Sequence, residues 1–584
     1  MSLYKEYKEL DLSKTQSKIL DFWEKEGVFK KSVALNKNNQ PFVFYEGPPS
    51  ANGLPGIHHV MGRTIKDLFC RYKSLCGHLV ERRAGWDTHG LPVELAVEKK
   101  LGITKEDIGK NISVTDYNAA CKESVMKYTD VWNELTKKMG YWVDMEKPYI
   151  TYEPKYIESV WNLIKTLYEK KLIYKGYTIQ PYSPAAGTGL SSHELNLPGC
   201  YRAVKDTSVV ALFELEKGAR VKFNTTLPVH LLAWTTTPWT LPANTALAVG
   251  KKIEYLLIET FNPYLGNRVA VICAKDRVSY YFKKDCLTDD FDSAVFDPKN
   301  IKYSIIDSFF GKDLVGLKYK QLLSFCVPHE GAHNAFVIVC GDFVSTEDGT
   351  GVVHMAPTFG ADDKRVAEEN NIPAMVVLNK EGELVPIVDE RGCYISSMKQ
   401  FGGRFVKKEF DPDQGRQPLD VEIAVFLKKE GKAFRVEKYE HNYPHCWRTD
   451  KPILYYPLRS WFIKTTDHKK DLIRLNNNIN WLPASTGEGR FKNWLEGLND
   501  WNLSRSRFWG TPLPIWKTED GLEIICVGSV KDLYLECEKS VTAGFMSKNP
   551  FQGFVIDDFS TENYKKIDLH KNVVDDIILC SVSG

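Results

Sequence analysis

The stretch Phe42-Val43-Phe44-Tyr45-Glu46-Gly47-Pro48-Pro49-Ser50-Ala51-Asn52-Gly53-Leu54-Pro55-Gly56-Ile57-His58-His59 decides the architecture of this chain. Phe42–Tyr45 read as a strand, and the Gly-Pro and Pro-Gly breakers that follow force a loop. A helical pattern resumes near His58, with Met61, Ile65, Leu68, Phe69 and Tyr72 on one face and Gly77 beyond its end. A second strand, Leu79-Val80-Glu81-Arg82, runs into Gly85-Trp86-Asp87-Thr88-His89-Gly90. Strand, loop, helix, strand is a βαβ unit, and its loops follow the carboxyl ends of strands, where open α/β sheets bind ligands. The expected fold class is α/β, with a Rossmann-like parallel sheet.

Upstream, Ser13 and Gln16 at capping-box spacing open an amphipathic helix carrying Ile19, Leu20, Phe22 and Trp23 and stopped by Gly27. Residues 1–40 are therefore expected to be a helical extension, and 41–200 the first half of the α/β domain. Longer helices are predicted at about residues 115–139, ended by Gly140, and 154–172, opened by Pro154. From Tyr201 to Arg435 the texture changes to short β-rich runs: Val209–Phe213, His230–Trp234, Tyr255–Ile258, Val269–Ile272, Ala335–Val339 and Met375–Leu378. Repeated short strands between turns predict an inserted, barrel-like β domain over 201–435, with 436–584 returning to the α/β domain.

The chain has 584 residues, a prior of about four domains at roughly 150 residues each. Hydrophobic residues at 43% and charged residues at 26% exclude a disordered or fibrous chain. Lys and Arg total 77 against 75 Asp and Glu, and a net +2 neither argues for a nucleic-acid partner nor excludes one. The 13 cysteines are odd in number and never spaced C-x-x-C, which reads as reduced thiols. Met1–Leu10 has no signal-peptide character, and no run of eighteen apolar residues occurs. A soluble cytoplasmic protein with no membrane partner is expected.

The common phosphate-binding strings, G-x-x-x-x-G-K-[ST] and G-x-G-x-x-G after a strand, are missing. His58 and His59 offer another device, because imidazoles at a helix start are placed to donate to phosphate. Two adjacent histidines alone read more plainly as one cap and one exposed ring. The longer string is more specific. Gly47-Pro48-Pro49, Asn52-Gly53 and Pro55-Gly56-Ile57-His58-His59, followed by Thr64-Ile65-Lys66-Asp67, resemble the ATP-binding motif of class I aminoacyl-tRNA synthetases. That family's usual tetrad is His-Ile-Gly-His; here Gly56 stands for the first His, His58 for the Gly, and His59 matches directly. The resemblance implies ATP binding by Gly47, Pro48, Pro49, Asn52, Gly53, Gly56, His58 and His59, with His58 and His59 catalytic.

Gly85–Glu94 and Asp500–Trp516 resemble the isoleucine-specific branch of that family. There Asp87 would accept hydrogen bonds from the substrate ammonium, and Pro48 with Gly47 would line the pocket. The plainer reading of Asp87 is a cap or turn residue. The β-rich insertion is similar to the family's connective-peptide editing domain, through Thr235–Asn244, Gly349–Pro357 and Asp362-Asp363. The resemblance assigns editing to Thr235, Thr236, Thr237, Asn244, His354 and Asp363, while Thr240 reads as an ordinary β-branched residue. Hydroxyls and backbone amides would hold an ester and a water, and a carboxylate the ammonium. Editing has a physical reason: an apolar pocket separates isoleucine from valine, the standing example of this limit, by only about 1–3 kcal/mol, an accepted magnitude and not one measured on this chain.

Two departures stand out. Where many members carry zinc-binding Cys pairs, this chain reads Ser183-Pro184-Ala185-Ala186 and Cys446-Trp447-Arg448-Thr449; His441 and His445 do not complete a site, and no structural zinc is expected. Phe545-Met546-Ser547-Lys548-Asn549 only imitates the family's Lys-Met-Ser-Lys-Ser loop, since it lacks the first Lys and precedes Val574–Ile578. The expectation is an N-terminal portion of a longer enzyme, without the lysine loop and the anticodon-binding domain. The implied activity is ATP- and Mg²⁺-dependent activation of isoleucine, transfer to tRNA(Ile) and hydrolysis of mischarged valine, by a monomer. A valine-specific sibling is opposed by Thr88-His89-Gly90 and Ser504–Arg507. A hydrolase or tRNA-binding fragment without ligase chemistry is the alternative from another class.

Overall fold

A computed structural model of the chain describes residues 9–50, 52–220, 222–379 and 382–583. Most of the N-terminal decapeptide Met1–Leu10, Ala51 of the opening loop, and Gly584 lie outside the described residues. The chain forms two compact units, Met1–Tyr174 with Phe462–Gly584, and Lys175–Trp461. It passes from the first to the second within the strand Ile173–Ser183 and returns within Leu454–Ile463. The second unit thus extends beyond the 201–435 stretch of β texture on both sides.

In the first unit three segments run parallel. Pro41 bridges Leu79 and Ser50 bridges Asp87, while Arg83–Trp86 pairs in parallel with Asp144–Ile150. The strand expected at Phe42–Tyr45 is extended but paired only near its ends, through Phe42 N–H to the Leu79 carbonyl at 2.8 Å and Asp87 N–H to Pro49 at 3.0 Å. Between those points the segments splay around a cleft of about 1550 Å³ lined by Phe44, Tyr45, Glu46, Arg82, Arg83 and Tyr149. Pro48 and Pro49 lack the N–H groups that a ladder needs. The second strand likewise starts at Arg83, after the expected Leu79–Arg82, because its partner Asp144–Ile150 is reached only there.

The helix after the loop is Ile57–Leu75. Its buried side carries Arg63 and Cys70, whereas the apolar stripe Met61, Ile65, Leu68, Phe69 and Tyr72 is exposed. The first helix is Leu12–Glu26, capped by Asp11, whose carboxylate accepts the Lys14 N–H at 2.9 Å, and not by Ser13. The single helix expected at 115–139 is two, Val114–Val125 and Thr129–Lys138. Tyr117, Cys121 and Val125 pack with Val93, Val97 and Trp509, while Trp132 packs against Trp86. Two faces aimed at different partners require the break. Another core gathers Ile157 and Trp161 with Leu533, Phe551 and Leu569. The lysine-loop imitation lies at its edge, where Met546 packs against it and buried Asn549 donates to Glu538 at 2.6 Å and to the Tyr534 carbonyl at 3.2 Å.

The second unit is built on a six-stranded sheet in the order Ser304–Phe310, Glu254–Phe261, Arg268–Ala274, Val229–Thr235, Tyr201–Glu214, Ala433–Pro444. Neighbours are antiparallel except Val229–Thr235 beside Arg268–Ala274. Among the described residues these strands form no closed barrel, within the β-rich inserted unit that was expected. Both faces are buried along the four central strands, which is why these read as unbroken apolar runs, whereas the edge strands Ser304–Phe310 and Ala433–Pro444 are only partly covered. Val209, Ala211, Phe213, Leu231 and Ile272 pack with Ile423 and Leu427 of the helix Leu419–Lys429 and with Leu247, Ile338 and Val352 of a small three-stranded sheet. Val210, Leu212, Leu232 and Val271 pack under Phe282, Tyr303 and Phe434. Each fully buried Leu or Phe contributes about 1.5–3 kcal/mol, so two covered faces hold the sheet without closure. No described helix is long and apolar enough to cross a membrane.

Candidate active sites

In the first unit Gly56 opens the helix Ile57–Leu75, and its N–H donates to His59 Nδ1 at 2.9 Å. That nitrogen is an acceptor, so neutral His59 carries its proton on Nε2, free to donate. Burial, with the neighbouring His58 ring and the Arg63 guanidinium, lowers the His59 pKa, which favours this neutral form. The His58 ring lies 3.8 Å from the His59 ring, centroid to centroid, and folds over Gly56, where a Cβ would meet it at 2.8 Å. A side chain at 56 and the His58 ring thus compete for one place. Trp132 packs edge-on to His59 at 4.8 Å and donates its Nε1–H to the Gly53 carbonyl at 2.8 Å, tying the loop to the helix Thr129–Lys138. Arg63 lies over the Trp132 ring. Gly47 and Gly53 are exposed and Asn52 half-buried. Lys66 is paired with Glu46 at 3.1 Å.

The Pro48-Pro49 end of the same loop meets Asp87 through the Pro49 carbonyl. Burial raises the Asp87 pKa, partly offset by the His89 N–H, and among the described residues no cation pairs with it. A half-buried carboxylate without a cation is suited to an ammonium. Its neighbour Thr88 is fully buried, with N–H and hydroxyl both 2.9 Å from the Thr151 hydroxyl and its carbonyl accepting from Trp509 Nε1 at 2.6 Å. Sequence reasoning missed Glu94, whose carboxylate accepts the Phe508 and Trp509 N–H groups, both at 2.8 Å, and pairs with Arg507 at 3.1 Å. The signal was present: an acid in the first turn of a helix and two arginines in Ser504-Arg505-Ser506-Arg507. The Asp500–Trp516 string is a clasp that closes on the segment following Asp87.

In the second unit Thr235, Thr237, Thr240 and His354 form a chain. Thr235 and Thr237 hydroxyls are 3.2 Å apart, Thr237 and Thr240 3.3 Å, and Thr240 Oγ1 is 3.0 Å from His354 Nε2. Thr240 also faces the Thr237 carbonyl at 2.9 Å, to which its one proton goes. His354 Nε2–H is then the donor to Thr240, and its bare Nδ1 is a buried acceptor without a partner. Burial lowers the His354 pKa to about 4, so the ring is neutral. Trp239 Nε1 is likewise buried and has no hydrogen-bond partner among the described residues. Thr240, read from sequence as structural only, sits inside this chain. Thr236 is half-buried. Asn244 is a brace: it donates to Ala246 O at 2.8 Å and Met355 O at 3.3 Å, and accepts from Tyr319 at 2.6 Å.

The strand Val352–Met355 leads into the helix Ala361–Glu369, where Asp363 Oδ2 accepts the Ala356 N–H at 2.8 Å. A Cβ on Gly360 would lie 2.5 Å from that oxygen, so the turn needs glycine for the carboxylate to fold inward. Burial raises the Asp363 pKa to about 6. Asp362 is exposed and close to Arg365. Phe359 meets Trp239 edge-on at 5.2 Å, joining the Asp363 turn to the threonine segment. Behind them Asp420, pushed up to about 7 by burial, accepts the Trp239 N–H at 2.9 Å.

The chain belongs to the tRNA synthetases class I (I, L, M and V), whose family model matches residues 18–576. It is 55% identical to an isoleucine–tRNA ligase of Bacteroides fragilis (strain YCH46), across all of this chain and 52% of that protein. It is also 55% identical to an isoleucine–tRNA ligase of Porphyromonas gingivalis, with the same two coverages. An isoleucine–tRNA ligase of Clostridium tetani is 42% identical over 90% of this chain and 46% of its own length. The chain spans about half the length of the curated relatives it matches.

Proposed function

We propose that the first unit activates isoleucine with ATP and that the second hydrolyses valine esters of tRNA(Ile). ATP, as its magnesium complex, lies with its triphosphate at the start of the helix Ile57–Leu75, between the Gly47–Gly56 loop and the His58–His59 pair. The Nε2–H of His59 and the first-turn amides donate to phosphate oxygens, and these fixed dipoles are worth most where charge develops. Isoleucine enters with its ammonium on Asp87 and its side chain toward Pro48. A carboxylate oxygen attacks the α-phosphorus, the bond to the β-phosphate oxygen breaks, and pyrophosphate leaves. A ribose hydroxyl of tRNA(Ile) then attacks the acyl carbon and AMP leaves. No protein nucleophile is needed. We place this activity in a monomer in the cytoplasm.

In the editing reaction the valyl ester lies against the Thr235–Thr237–Thr240–His354 chain, with its ammonium on Asp363. Water attacks the ester carbonyl and the ribose hydroxyl departs with the proton. The bare Nδ1 of His354 and the Nε1–H of Trp239 are an acceptor and a donor that a polar ligand would satisfy.

The observation that carries this reading is Asp87, a carboxylate without a cation, locked between the Pro48–Pro49 loop and the Glu94 clasp. Calorimetric titration of the chain with isoleucine, valine and leucine tests it. Isoleucine should bind about 10–200-fold more tightly than valine, the range one methylene supports. Asp87→Asn should weaken isoleucine by roughly 2–4 kcal/mol and leave ATP nearly unchanged. Equal losses for both ligands would make Asp87 a turn residue only.

A further inference from the structure

Behind Asp87 lies a chain of three side chains that the proposed chemistry does not use. His89 Nε2 and His570 Nε2 are 3.0 Å apart, and His570 Nδ1 is 2.5 Å from Asp568 Oδ1. His570 is 2% exposed. Its ring stacks on Trp509 at 4.4 Å with planes 7° apart, and His89 meets the same indole edge-on at 5.1 Å. The Asp568 carboxylate is held further by the His570 N–H at 3.1 Å and approached by Asn572, which accepts from Asn118 at 3.0 Å. The groups facing the pair are thus one carboxylate, one indole and two amides, and the His89 N–H in turn donates to Asp87.

Two imidazole nitrogens at hydrogen-bond distance share one proton. Asp568 is ionised: burial alone would raise its pKa, but the hydrogen bond and charge of His570 bring it down to about 2. The carboxylate therefore fixes a proton on His570 Nδ1. Only one proton fits between the two Nε2 atoms, so His570 decides which nitrogen of His89 carries its proton: an accepting His570 Nε2 puts it on His89 Nε2, and a donating one puts it on His89 Nδ1. Burial, with the nearby His570, lowers the His89 pKa to about 3, which keeps it neutral. Such an acid–imidazole pair fixes the tautomer and rotation of the ring in front of it, as the outer partners of metal-bound histidines do.

We infer that His570, oriented by Asp568, is a positioning residue that sets the tautomer of His89 and thereby holds the Asp87–His89 turn in its amino-acid-binding form. The inference rests on the reading of Asp87 as the partner of the substrate ammonium. The segment around His570 lies 481 residues from His89 in sequence, so this turn is completed by a distant part of the chain.

The test uses the whole chain labelled with ¹⁵N-histidine, with L-isoleucine as the probe. His570→Phe keeps a ring on Trp509 and removes both hydrogen bonds. Long-range ¹H–¹⁵N spectra should show His89 in one tautomer in the parent and as a tautomer mixture in His570→Phe. Isoleucine affinity should fall about tenfold or more, the range typical of such outer partners. Asp568→Asn, a milder change should His570→Phe not fold, should loosen the tautomer partially. An unchanged His89 tautomer in the folded variant overturns the inference, as does a lowered melting temperature with unchanged His89 spectra. Asp87→Asn in the same titration separates the two readings: if it binds isoleucine like the parent, the pocket assignment fails, while the His89 spectra still decide the relay.

Discussion

At the scale of single residues, protonation states are set by what lies against each group, not by residue type. Asp363 ionises near pH 6 because burial disfavours its charge. Only the anion holds an ammonium, so kcat/KM for valyl-tRNA hydrolysis should fall as pH drops through about 6, and Asp363→Asn should be inactive throughout. A profile with its midpoint near 4 would remove Asp363 from the site. The stability effect has the opposite sense. A carboxylate whose folded pKa is raised favours the folded state at low pH, and that contribution is lost as pH rises from about 4 through about 6. His354, held neutral with a pKa of about 4, works the other way: its contribution is present above about 6.5 and lost as pH falls toward 4. The identity of His59 as a helix-start residue was legible in the sequence. Its tautomer was not, because that depends on where the Gly56 N–H points. The contact between Thr240 and His354 was not legible, because the two residues are 114 positions apart.

At the scale of elements, local rules located most helices and strands but not their partners. The helix Ile57–Leu75 was legible from its period and its loop, yet the stripe that marks it, Met61 to Tyr72, is not the side it buries. Periodicity reports an amphipathic face; only packing says what covers it. The strand at Phe42–Tyr45 was expected from composition and is unpaired in its middle, because pairing is a property of two segments and its neighbour is splayed away. The clasp on Glu94 joins Asp500–Trp516 to the helix Leu91–Leu101, and its charge is nearly enclosed. Glu94→Ala leaves Arg507 and two backbone N–H groups without their acceptor. It should destabilise the first unit by about 3–5 kcal/mol, read from urea unfolding followed by the fluorescence of its tryptophans. A loss below about 1 kcal/mol would mean that solvent replaces the clasp.

At the scale of the whole molecule, the two candidate sites belong to different compact units. Asp363→Ala should therefore abolish deacylation of valyl-tRNA and leave isoleucine binding unchanged; a loss of both would show that the units do not work separately. Metal analysis after dialysis against a weak chelator should find no stoichiometric zinc. The side chains at the place of the family's metal are otherwise engaged: His441 faces Asp206 at 3.4 Å, His445 faces the Tyr443 carbonyl at 2.9 Å, and Cys446 is buried near Cys200. One tightly held zinc per chain would refute that account. The sequence by itself determined the class of fold, the helix-start histidines, the acid that follows the second parallel segment, and the threonine-rich segment, because each is a local pattern of spacing and residue type. Tertiary structure alone decided the strand order of the β unit, that Glu94 closes the clasp, and that His570 stands behind His89. Those outcomes depend on hydrogen bonds and buried faces shared between residues hundreds of positions apart, and no local pattern records which distant group will arrive.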